Sequence, residues 1–175
     1  MKHIAVIDVG KTNVKVALVE LELFEEKHVL SIPNISIQSG HFLTFNTESI
    51  WDFICKSLKE LSSKFEINGI SVTTHGAAAV LIMEDGTYAE PIDYEDPAID
   101  AIAAEYSKIR PNFEETGSPH LAGGLNIGSQ LYCQFDQVPA LRERLLYIVT
   151  YPQFWGWKLT GNFATDFTSL GCHSD

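Results

Sequence analysis

The sequence predicts an α/β domain with a mixed sheet led by a β-hairpin. Three observations carry this expectation. Two runs rich in Val and Ile, His3–Val9 and Val14–Glu20, are separated only by Gly10–Asn13. Ile50, Trp51, Phe53, Ile54, Leu58, Leu61 and Phe65 recur at helical spacing. A further β-branched run, Ile67–Thr73, follows that helix directly.

In order along the chain, His3–Val9 and Val14–Glu20 form the hairpin. A third strand is expected at His28–Gln38, where Pro33 confines it to an edge or breaks it at a bulge. The amphipathic helix starts at Asn46 or Thr47, both good N-caps. After strand Ile67–Thr73, the turn Thr74-His75-Gly76 ends the sheet segment. Asp96-Pro97 opens a helix to about Arg110, with Asp96 at the cap and Pro97 at the first helical position. Residues 116–129 hold four glycines and read as a loop; Pro139–Val149 and Pro152–Leu159 read as helices, the second stopped by Gly161. Three strands before the first helix differ from the strict βαβ alternation of a dinucleotide-binding fold. No linker or repeat divides the chain, so a single domain over residues 1–175 is expected.

Composition narrows the function classes. Twelve Lys and Arg stand against 23 Asp and Glu, a formal net charge of −11, the wrong sign for a protein held to nucleic acid by phosphate contacts. No apolar run approaches the ~20 residues that span a bilayer, and the first residues do not form a basic-then-apolar leader. Cys55, Cys133 and Cys172 are far apart and unpaired by spacing, which suits a reducing, cytoplasmic compartment better than a disulfide framework or a zinc ribbon. The six histidines are scattered with no HxxxH pair, which argues against a histidine metal site.

The stretch Asp8-Val9-Gly10-Lys11-Thr12-Asn13 contains Gly-Lys-Thr, the ending of a Walker loop. The first glycine of GxxxxGK(S/T) would fall on Ala5, and the residues that follow favour a strand over the helix such a loop must feed. Two readings remain. In one, Asp8 is a turn initiator and Gly10 supplies a positive φ. In the other, the Asp8 carboxylate holds Mg²⁺ while Gly10, Lys11, Thr12 and Asn13 serve phosphate oxygens.

The rest of the chain bears on that choice. Asp-x-Gly-Lys-Thr-Asn in a hairpin resembles the first phosphate loop of the actin/hexokinase superfamily. Three more stretches resemble the N-terminal half of its FGGY carbohydrate kinases, the ketose and polyol kinases. They are Ile70–Gly76 with the following Ala-Ala-Ala-Val-Leu-Ile-Met-Glu-Asp-Gly, then Pro91–Asp96 in the place of a Trp-x-Asp-x-Arg segment, then Trp155–Gly161 with Thr165–Leu170. The arginine of the second segment is replaced near Ala98. The resemblance implies a ribonuclease-H-like (actin-like ATPase) fold and transfer of the ATP γ-phosphate to a sugar hydroxyl with ATP and Mg²⁺ as cofactors. It places Asp8 at the metal, Gly10, Lys11, Thr12 and Asn13 at phosphate, and His75, Gly76 and Asp96 at the sugar. It implies no catalytic base within the chain: the base and the adenosine pocket would belong to a C-terminal lobe absent from this sequence. The implied partners are a small-molecule sugar and that lobe, with no nucleic acid or membrane; a homodimer stays open. A non-catalytic sugar-binding or regulatory module of the same fold is the alternative.

Bland readings accompany several of these residues. His75 also suits a hydrogen-bonded turn, and Asp96 also suits simple helix capping. Asp93 and Glu95 read as solvated neighbours, and Leu121–Gly128 as a lid or connector. Phe154, Trp155 and Trp157 read as packing residues, with Asp166 and Thr168 on the substrate side.

Overall fold

The computed structural model describes residues 2–175, which fall into two compact units. The first comprises residues up to Ile35 and Asn46–His75; the second comprises Ser36–Phe45 and Gly76–Asp175. The chain passes between them three times.

The first unit is built on β1 (His3–Val9), β2 (Asn13–Glu20), β3 (Glu25–Pro33) and β6 (Ile67–Thr74), in the sheet order β3-β2-β1-β6. β1 and β2 pair antiparallel from His3↔Glu20 to Val9↔Val14, whereas β6 runs parallel to β1 with Asp8↔Thr73 and Val9↔Thr74 in register. Strand alternation sorts the faces: Ala5, Ile7 and Val9 with Val14, Val16 and Leu18 are completely buried, while Ile4, Val6 and Asp8 occupy the other face of β1. Helix α1 (Thr47–Ser62) packs against β2 and buries Ile50, Ile54 and Leu61. Asn46 is its cap, accepting from the Ser49 N–H (3.0 Å). The expected third strand ends at Pro33, which cannot donate to a ladder; the remainder of that stretch forms the separate β4 (Ser36–Ser39) in the second unit.

The second unit holds two small sheets. β4 pairs with β5 (Phe42–Phe45), and β7 (Ala79–Met83) lies between β8 (Tyr88–Ala89) and β9 (Leu145–Thr150). Its helices are α2 (Pro97–Tyr106), α3 (Phe113–Thr116), α4 (Ile127–Gln137), α5 (Ala140–Arg144), α6 (Tyr151–Thr160) and α7 (Phe167–His173). Phe42, Ile92, Ile99 and Cys133 form a core cluster that α2 and α4 close together. Burial and the nearby Asp96 carboxylate push the Cys133 thiol up to about 11, so it acts as a small core hydrophobe instead of a nucleophile.

Three expectations from sequence are corrected here. The helix from Pro97 stops at Tyr106 instead of Arg110, closed by Ser107. The helix expected over Pro139–Val149 lasts only to Arg144; Leu145–Thr150 is a strand antiparallel to β7. The loop expected up to Ser129 gives way to helix already at Ile127, and α4 continues to Gln137. No helix among the described residues is long and apolar enough to cross a membrane.

Candidate functional site

The carboxyl ends of β1 and β6 carry the residues singled out from sequence in the first unit. In a sheet with parallel neighbours this edge is where loops, free of ladder pairing, project side chains towards ligands. Asp8 is the last residue of its face of β1, half-buried, with Lys15 opposite on β2 and Thr73 beside it on β6. Among the described residues no hydrogen bond or ion pair engages its carboxylate.

The turn beyond Asp8 has a specific construction. The Gly10 N–H donates to the Asn13 carbonyl (3.0 Å), and a Cβ at Gly10 would stand 3.0 Å from that oxygen. A side chain here would press the Asn13 backbone to give by a few tenths of an ångström; the φ of Gly10 is not positive, which corrects the plain-hairpin reading of this position. Asn34, just past β3, holds the turn from one side. Its Nδ2 donates to the Gly10 carbonyl (2.8 Å) and its N–H to the Thr12 carbonyl (2.9 Å). These two bonds tie the turn to the segment that follows β3. The Thr12 hydroxyl accepts from Asn13 Nδ2 (3.2 Å), and both side chains are exposed; Lys11 is half-buried. Asn34 escaped the sequence reading because nothing local marks it beyond its place after Pro33.

His75 extends the β1–β6 ladder by one bond, its N–H donating to the Val9 carbonyl (3.1 Å). The Thr74 hydroxyl donates to the His75 carbonyl (2.7 Å), fixing the peptide that leads into Gly76. The Asp8–Asn13 turn and His75 thus share one end of adjacent strands, about 4.8 Å apart. The fold brings these residues together although some sixty positions of sequence separate them.

Gly76 and Asp96 belong to the second unit. Asp96 is 4% exposed and both its oxygens are engaged: Oδ1 accepts from the Ala98 N–H (2.7 Å) as the α2 cap, and Oδ2 accepts from the Leu43 N–H on β5. Asp93 is also buried, accepting from the Ser36 hydroxyl (2.5 Å) and the Glu95 N–H (3.0 Å), which corrects its reading as solvated. The segment is further tied to β5 through Phe45 N–H to the Pro91 carbonyl (3.1 Å) and Asp93 N–H to the Leu43 carbonyl (2.9 Å). Asp96→Ala is accordingly expected to destabilise the fold by about 1–3 kcal/mol, from the lost cap and the orphaned Leu43 N–H. Chemical denaturation measures this; unchanged stability would free Asp96 for a purely ligand-directed role. Asp166 caps α7, its carboxyl held below the ordinary range by the Thr168 hydroxyl and the Ser169 and Thr168 N–H groups.

The Mg²⁺ and ATP implied by the resemblance fit what is present. One carboxylate with no partner among the described residues stands beside a turn that exposes the Thr12 hydroxyl and the Asn13 carboxamide, which suits a phosphate-bound Mg²⁺ that keeps most of its waters. Among the described residues no group of three or more His, Cys, Asp or Glu is assembled for a metal held by protein alone.

A hairpin-led sheet with a parallel fourth strand, carrying an acid-and-glycine turn at its carboxyl edge, defines a domain of the actin-like ATPase class. No family model matches the chain. An L-fuculokinase of Salmonella typhi is 25% identical over 175 residues, spanning 96% of this chain and 37% of the relative. A carbohydrate kinase from Novosphingobium aromaticivorans superposes with a TM-score of 0.88 at 31% identity, over 97% of this chain and 36% of its own. A xylulose kinase from Lactobacillus acidophilus has the same fold, with a TM-score of 0.82 at 18% identity. Along almost its whole length the chain is thus similar to carbohydrate kinases. It spans a little over a third of the length of these relatives.

Proposed function

We propose that the chain is the sugar- and phosphate-binding lobe of an ATP-dependent carbohydrate kinase that acts on a ketose or polyol in the cytoplasm. The observation that carries this reading is the Asp8–Asn13 turn beside His75 on adjacent strand ends, in a chain that aligns with carbohydrate kinases along almost its whole length. Asp8 would hold Mg²⁺, and the Lys11 and Asn13 amides with the Thr12 and Asn13 side chains would donate to phosphate oxygens. When bound, Mg²⁺–ATP supplies the transferable phosphoryl group and neutralises its charge. His75, Gly76 and Asp96 would orient the sugar, so that the attacking hydroxyl is presented in line. A carboxylate base and the adenosine pocket are assigned to a C-terminal lobe, as the share of the relatives covered by this chain suggests.

An ATP-dependent phosphorylation assay over a panel of ketoses and polyols tests the reading. The full-length protein is expected to turn over at least one of them, and the 175-residue chain alone none. Turnover by the isolated chain would overturn the assignment of base and nucleotide pocket. Sugar binding by the full-length protein without phosphate transfer would favour the non-catalytic module.

A further inference from the structure

Gln130 lies on α4, is 2% exposed, and spends its side chain on the backbone carbonyls of two other segments. Its Nε2 donates to the Ala77 carbonyl (3.0 Å) and to the Gly124 carbonyl (2.5 Å). Both amide hydrogens are thereby used. Ala77 stands directly after Gly76 in a tight turn closed by the Ala78 N–H to the Gly76 carbonyl (3.0 Å). Gly124 in turn donates its N–H to the Tyr94 carbonyl (2.8 Å). A Cβ on Gly124 would stand 2.6 Å from Ile99 Cδ1 and 2.9 Å from Tyr94 Cα, so this loop lies directly against the Tyr94 backbone. The loop is held from its other side by Asn126, whose Oδ1 accepts from the Leu121 N–H (2.8 Å), and by Ser129, whose hydroxyl donates to the Asn126 carbonyl (2.7 Å).

We propose that Gln130 is a positioning residue for the sugar side: one buried carboxamide locks the Gly76–Ala78 turn to the glycine loop, and through it to the Tyr94–Asp96 segment. The sugar-related part of this rests on the kinase reading above; the mechanical part does not. The residue type is demanded by chemistry. A single neutral nitrogen with two hydrogens bridges two carbonyls. Glutamate would face them with an acceptor-only carboxylate, and leucine of similar size would leave two buried carbonyls unpaired. Gln130 need not touch the sugar to matter, because a turn shifted by an ångström misplaces the groups it carries.

The test has two arms. In the 175-residue chain, hydrogen exchange of Gln130→Leu is compared with wild type at three amides: Ala78, Gly124 and Leu81 in β7. Ala78 and Gly124 are expected to exchange faster together, by about tenfold, the scale of one lost hydrogen bond, with Leu81 unchanged. No change, a change at one loop only, or an equal rise at Leu81 would overturn the linkage. Where Gln130→Leu does not fold, Gln130→Asn, one methylene too short to reach both carbonyls, takes its place in the same comparison. In the full-length kinase the same variant is expected to raise the KM for sugar by about tenfold with the KM for ATP unchanged. A loss confined to kcat, or shared by ATP, would overturn the positioning role. If wild-type full-length protein phosphorylates no sugar, the kinase reading fails, and the exchange arm still decides whether Gln130 joins the two loops.

Discussion

Asp8→Ala in the full-length protein is expected to lower sugar-dependent phosphate transfer by about two orders of magnitude or more, the scale for removing a key electrostatic element from a phosphoryl-transfer site. The separation of effects makes this informative. The carboxylate has no protein partner among the described residues, so its removal orphans no buried donor, and the fold should change by no more than about 0.5 kcal/mol. Lys15, directly across on β2, is exposed and stays solvated without it. Asp8→Asn, equal in size but neutral, should lose nearly as much activity, since the charge is what neutralisation of Mg²⁺ requires. Steady-state turnover together with a denaturation curve decides the matter: a near-normal rate in a folded Asp8→Ala variant would take the turn out of the mechanism.

The second large effect is on stability. Trp155→Ala is expected to cost about 3–5 kcal/mol, a large share of the roughly 5–15 kcal/mol that holds a typical domain. Trp155, Tyr151 and Phe154 are all completely buried on α6. The Trp155 ring meets Phe154 edge-on at 4.9 Å and Tyr151 at 5.7 Å, and Tyr151 stacks on Phe45 at 5.9 Å. Deleting the indole thus leaves a cavity among rings that are already mutually wedged and cannot collapse to fill it. Urea denaturation of the isolated chain measures the loss; a change below about 1 kcal/mol would show that the cluster relaxes freely. Trp155→Phe should fall between, since it keeps an aromatic face in the same place.

Both residues were legible in the sequence, but for different reasons. Asp8 stands where an apolar strand meets a glycine turn, a local signature, although its neighbour His75 could be joined to it only through the distant THG and LTG stretches. Trp155 reads as core from its size and setting alone. Gln130 illustrates the opposite case. The buried side of α4 carries Ser129, Gln130, Cys133 and Gln134, so the apolar periodicity that would announce a helix is missing. Those polar groups are buried because carbonyls of other segments receive them: Ala77 and Gly124 for Gln130, and Glu90 for Gln134 (3.5 Å). Asp93 and Asn34 were passed over for the same reason, their partners Ser36, Gly10 and Thr12 lying more than twenty residues away.

The stretch Ala140–Thr150 shows where local preference stops deciding. Its first residues are strong helix formers and do form α5, but pairing of Met83 with Leu145 and of Ala79 with Thr150 draws the remainder into β7's sheet. Propensity differences amount to tenths of a kcal/mol per residue, less than a ladder of hydrogen bonds with Val149 buried behind it. The hairpin, α1 with a cap at Asn46 or Thr47, a strand from Ile67 and the Asp96 cap were determined by the sequence itself, because each rests on residues within a few positions of one another. Tertiary structure alone decided that Gly10 sits in close approach to the Asn13 carbonyl, that Asn34 holds the Gly10 and Thr12 carbonyls, that Asp96 also holds β5, and that Gln130 couples two loops. Each of these depends on a hydrogen bond or a contact whose other half lies elsewhere in the chain or is set by the geometry of the folded turn, and no local pattern records it.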